Sequence, residues 1–110
     1  MNIISKPITI SDQQTDCWLI KSSVGLTSAV TESVRAEINQ CMDKDCPVIY
    51  LDVKEVDEVD LSGINEVIHA HYTLQQVSKK LVFVYNKNSK IEKWVKTTGL
   101  DTFVDTAILI

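Results

Sequence analysis

The chain has 110 residues, 45% of them hydrophobic, and a formal net charge of -4, which suits one domain with a single core rather than two. Its longest apolar runs are about five residues against the roughly 20 that span a bilayer, and MNIISKPITI lacks the order of an export signal, so a cytoplasmic protein without direct membrane insertion is expected. Cys17, Cys41 and Cys46 are odd in number and have no CxxC spacing, which argues against a disulfide framework, a zinc knuckle or a thiol redox pair.

In chain order, Ile8 to Ile10 and Cys17 to Lys21 are short runs of strand formers separated by the polar SDQQTD, and predict an N-terminal hairpin. From Thr27 the period changes. Leu26, Val30, Val34, Ile38 and Cys41 recur at helical spacing with Glu32, Arg35 and Asn39 opposite, predicting an amphipathic helix capped by Thr27 or Ser28. The polar MDKDCP ends it, because Pro47 forbids continuation.

Val48-Ile49-Tyr50-Leu51 and Leu81-Val82-Phe83-Val84-Tyr85 are continuous apolar runs too short for helices, the pattern of parallel strands covered on both faces. Between them lies a helix with Ile64, Val67, Ile68, His71, Leu74 and Gln75 on its apolar side, which implies a right-handed crossover. A strip of Ala70, Leu74 and Val77 at the margin of that side is a candidate extension of a partner surface. Ser89-Lys90-Ile91-Glu92 reads as a capping box and Thr98-Gly99 as a helix end. Between them Ile91, Trp94, Val95 and Thr98 face inward, and Lys90, Lys93 and Lys96 form a solvated face. Phe103-Val104 and Ala107 to Ile110 read as extended. The expectation is one α/β domain over residues 1–110: an N-terminal hairpin followed by βαβαβ, a mixed β-sheet with helices packed against it.

Charge is divided unevenly. Residues 52–60 hold five acids and one lysine, whereas residues 79–96 hold six of the eleven basic residues and a single acid, Glu92. The overall acidity opposes the long-range attraction that nucleic-acid binding uses, so no nucleic-acid partner is expected. His69 and His71 stand about 200° apart around a helix, and the acids are interrupted by Val56 and Val59, so no metal and no cofactor is expected. Glu55, Asp57, Glu58 and Asp60 instead favour the positive end of the helix that follows. Ser62 has no Gly-x-Ser-x-Gly context, and no catalytic residue is assigned. It reads either as a helix cap or as a phosphoacceptor. His71, on the apolar side, reads as a core histidine and Trp94 as a core anchor.

Gly25-Leu26-Thr27-Ser28-Ala29 before the first helix, the strand ending Val48 to Asp52, the turn Val59-Asp60-x-Ser62-Gly63, the strand Leu81 to Tyr85 and the ending Thr98-Gly99-Leu100-Asp101-x-Phe103 together resemble the STAS domain. The match runs in order over roughly residues 8–106. This family includes anti-sigma factor antagonists and the cytosolic tails of sulfate transporters. The resemblance implies a non-enzymatic module that binds an anti-sigma factor, usually a serine kinase, and is released by phosphorylation of the serine or threonine after the turn's aspartate. Here that position is Leu61, which cannot be phosphorylated. The expected docking surface is therefore Asp60, Leu61, Ser62, Gly63, Asn65 and Glu66, with Ser62 as the candidate phosphorylation site. The alternative is an accessory subunit of an ABC-type membrane transporter. The strand edge at Ala107 to Ile110 offers a place for a second copy, a homodimer contact.

Overall fold

A hairpin opens the fold. In the computed structural model, which describes residues 3–10, 15–23 and 25–109, strand β1 (Ile3–Ile10) runs antiparallel to β2 (Thr15–Ser22), with Ile3 opposite Ser22 and Ile10 opposite Thr15. The ladder is longer than the apolar runs suggest. Thr15 and Asp16, expected in the turn, are in β2, and the remainder of that turn, 11–14, lies outside the described residues.

Three further strands add in parallel: β3 (Val48–Asp52) beside β2, β4 (Lys80–Asn86) beside β3, and β5 (Asp105–Leu109) beside β4. The sheet order is therefore β1-β2-β3-β4-β5, with β5 as an edge. Helices α1 (Thr31–Cys41), α2 (Leu61–Gln75) and α3 (Lys90–Thr98) make the three crossovers, and a 3-10 turn (Leu100–Thr102) leads into β5.

Each crossover steps to the next strand in the same direction, and right-handed crossovers taken in one direction lay their helices on one face. The expectation that β3 and β4 are covered on both faces is corrected accordingly. Ile49, Leu51, Leu81, Phe83 and Tyr85 are fully buried against the helical layer, whereas Val48, Tyr50, Val82 and Val84, which point the other way, are only half-buried. The core is completed by Ile20 from β2, Val34, Ile38 and Cys41 from α1, Ile64, Val67, Ala70 and Leu74 from α2, and Ile91 and Val95 from α3.

Two helices depart from the sequence reading. Helix α1 starts at Thr31 with Val30 as its cap residue and no side-chain cap, not at Thr27 or Ser28. The reason is tertiary: Leu26 is held in a parallel bridge to Val59, so the next residues are spent turning away from the sheet. Helix α2 is rotated toward α1. Gly63, Glu66 and Ala70 are buried, Ile68 and His71 are half-buried, and Gln75, expected inside, is exposed. Helix α3 begins as its sequence suggests, with the Ser89 hydroxyl accepting from the Glu92 amide at 3.2 Å. The Glu92 carboxylate, however, accepts from the Asn88 amide at 3.0 Å. Gly99 closes the helix at φ 71°, a left-handed conformation that glycine adopts without strain.

Candidate functional site

The starts of α1 and α2 are tied together by backbone. The Leu26 amide donates to the Glu58 carbonyl at 2.7 Å and the Asp60 amide to the Leu26 carbonyl at 3.1 Å. Below this bridge the buried Ser22 hydroxyl donates to the Gly25 carbonyl at 2.9 Å, fixing the loop that leaves β2.

Asp60 is the node of the arrangement. Its extended backbone ends the acidic loop, one carboxylate oxygen accepts from the Gly63 amide at 2.9 Å, and the other accepts from the Ser28 amide at 3.1 Å. One side chain thus caps α2 and secures the turn before α1. Ser62, expected as a cap, does not serve as one; it is an exposed first-turn residue whose side chain makes no hydrogen bond among the described residues.

Gly63 and Glu66, expected on the docking surface, lie beneath it. A β-carbon at Gly63 would collide with the Leu26 carbonyl, so glycine is what lets α2 approach the bridge. Glu66 is 4% exposed and receives a two-pronged contact from Arg35, Nε at 3.2 Å and Nη2 at 2.8 Å. The guanidinium remains half in water, its side chain 54% exposed, and shields the carboxylate from the outside.

What α2 presents outward is Leu61, 56% exposed, with Ser62, Asn65 and His69. Beside them, Thr31, Arg35, Ser62, Asn65, Glu66 and His69 line a shallow polar hollow of about 370 Å³. Ser62 and His69 share this hollow, yet no hydrogen bond joins them, so the histidine is not placed to take the serine's proton. The strip expected from Ala70, Leu74 and Val77 does not form, because Ala70 and Leu74 are fully buried and only Val77 reaches the surface. His71 is half-buried, its ring edge-on to Tyr72 with centroids 5.1 Å apart.

The acidic loop divides into structural and free charges. Asp52 is buried and accepts from the Lys54 amide at 2.9 Å. Glu55 pairs with Lys21 at 2.6 Å, and the hydrogen bond from that ammonium holds its carboxyl below the usual range. Asp57 and Glu58 are exposed. Among the described residues, no group of three His, Cys, Asp or Glu side chains is placed to hold a metal ion, and no helix is long and apolar enough to cross a membrane. All three cysteines are buried free thiols, and burial pushes Cys41 up to about 11, so it stays a thiol rather than a nucleophilic thiolate near neutral pH.

The sequence model of the STAS domain matches residues 10–108. Solved structures with the same fold include a Thermotoga maritima protein described provisionally as an anti-sigma factor antagonist. It has 14% identity and a TM-score of 0.75, with 96% of this chain and 86% of that chain covered. The anti-sigma factor antagonist SpoIIAA in its unphosphorylated form is similar at 15% identity and a TM-score of 0.64, over 97% of this chain and 90% of that one. The phosphorylated form of the Bacillus cell fate determinant SpoIIAA gives 17% identity and 0.63, over 94% and 91%. No curated protein matches the sequence.

Proposed function

The chain belongs to the STAS domain family, and from that premise we propose that it is a non-enzymatic interaction module of the anti-sigma factor antagonist type. Its partner is an anti-sigma factor or serine-kinase-like switch protein, and docking uses the first turn of α2. The observation that carries this reading is the exposure of Leu61, 56% accessible at the head of a helix whose start is braced by the two Asp60 bonds. A large apolar side chain on a rigid, otherwise polar surface is the kind of anchor that protein interfaces are built around.

Leu61 occupies the position that the family uses for its switching hydroxyl, so the complex is not ended by phosphorylation there. Ser62 is exposed beside it, at a helix start that favours an anion, but with Asp60 and the acidic loop close by in sequence to oppose a phosphate. The reading is therefore of a constitutive rather than phospho-switched contact.

The test is to retain the partner from a lysate of the native host on the wild-type protein, Leu61→Ala and Leu61→Ser. The partner, with any kinase activity it has, is then incubated with each. The wild type is expected to hold the partner and gain no phosphate, Leu61→Ala to lose it, and Leu61→Ser to gain phosphate at the restored hydroxyl. Phosphate on Ser62 of the wild type would overturn the unswitched reading.

A further inference from the structure

The crossover helices occupy one face of the sheet, and no described helix lies over the other. That second face does not suit water. A sheet that faces solvent carries polar residues at its outward positions, yet those positions hold Val48 and Tyr50 on β3 and Val82 and Val84 on β4, flanked by Leu19 on β2 and Ala107 on β5. All of these are half-buried. Lys21 and Asp52, toward the end of the same face, are matched within the chain by Glu55 and Lys54. The apolar runs of β3 and β4 call for cover on both faces, and the chain supplies it on one.

The register says what can cover the other. Residues paired across neighbouring strands share a face, and the pairings string one residue from each strand into a single row: Lys6, Leu19, Tyr50, Val82 and Asp105. This row is matched about its centre. An aliphatic residue stands on each side of Tyr50, and the two exposed ends carry opposite charges, Lys6 on β1 and Asp105 on β5. Asp105 lies 3.4 Å from Lys80, but both side chains are more than half exposed, which leaves the carboxylate open to a second cation.

A two-fold axis along β3 turns a second copy so that its β5 lies over β1 and its β1 over β5. Tyr50 then meets Tyr50, Leu19 meets Val82, and Lys6 meets Asp105 at both ends. With the axis across the strands instead, lysine would face lysine and aspartate would face aspartate, which is repulsive. Stacked sheets stand about 10 Å apart with their side chains interdigitated. The face is about 24 Å wide at about 4.8 Å per strand, small for a permanent complex and suited to a reversible one.

We propose that the protein self-associates as a two-fold dimer through the open face of its sheet, with Leu19, Tyr50 and Val82 as the apolar centre and Lys6 and Asp105 as reciprocal ion pairs. This goes beyond the docking reading and does not rest on it. The Leu61 turn lies in the helical layer, so each copy keeps it free.

The test is sedimentation velocity on the intact chain over a concentration series, with circular dichroism to confirm that each variant is folded. The wild type is expected to pass reversibly from monomer to dimer, and Tyr50→Glu to stay monomeric. Lys6→Glu and Asp105→Lys alter exposed ends of the row and are each expected to lose about tenfold or more in self-association. An equimolar mixture of these two variants should recover the wild-type association, because each mixed pair places opposite charges together at both ends. A monomeric wild type, an assembly larger than a dimer, unchanged association in either charge variant, or a mixture no tighter than its components would each overturn the proposal. So would a dimer that persists in folded Tyr50→Glu, which would move the contact to another surface such as the edge of β5.

Discussion

Helix α2 meets α1 through a glycine pressed on the Leu26 carbonyl, a buried carboxylate clasped by Arg35 and a capping aspartate shared with the neighbouring turn. On its outer side it shows solvent the exposed Leu61 and Tyr72, with Ile68 half-buried between them. The first flank spends its polar groups on each other, and the second leaves apolar surface uncovered among the described residues. Groups satisfied internally fix where the helix sits. Groups left over are what a partner can use, so stability and recognition are assigned to opposite sides of one helix.

The largest expected effect breaks the packed flank. Gly63→Ala puts a methyl group into the Leu26 backbone, which cannot yield as a flexible side chain would, and is expected to lower stability by about 3 kcal/mol or more in urea unfolding. Arg35→Ala comes next, with a smaller loss of stability, because it strands a nearly buried carboxylate. Glu66→Gln should cost about half as much, since the arginine left behind is already half in water. Asp60→Ala removes two amide contacts and is expected to cost about 1 to 2 kcal/mol, whereas Ser62→Ala, beside it, should stay within about 0.5 kcal/mol.

On the open flank, Leu61→Ala and Tyr72→Ala are expected to change the unfolding free energy in urea by no more than about 0.5 kcal/mol while weakening partner retention. The smallest effect is that of pH on the exposed pairs. The lysine contacts at Glu55 and Asp101 depress both carboxyls, so their contribution is present above the unfolded carboxylate range and is lost as pH falls through the lowered folded values. A shallow decline of the thermal midpoint in the acid range, abolished by high salt, is the expected result.

The sequence carries the fold because period and punctuation are local. Strand runs, helical spacing and the Ser89 and Gly99 boundaries need no knowledge of neighbours, and they appear in the structure nearly where they are expected. What was not legible depends on distant partners. Ser62 and Asp60 are both plausible caps by residue type, and the Leu26–Val59 bridge decides between them. The burial of Gly63 and Glu66 depends on α1, and nothing within 61–75 announces which flank α1 will take. The one-sided sheet was available in principle, since it follows from a strand order without reversal, but apolar runs alone suggested cover on both faces. The exposure of Tyr72 is not legible in the sequence, because it sits outside the stripe that the core selects.

The division of α2 into a structural and a docking flank is tested most directly by measuring, on one preparation, the urea midpoint and the affinity for the retained partner of Leu61→Ala/Tyr72→Ala. An unchanged midpoint with an affinity reduced about tenfold or more is predicted. A full affinity with the same midpoint would contradict the account.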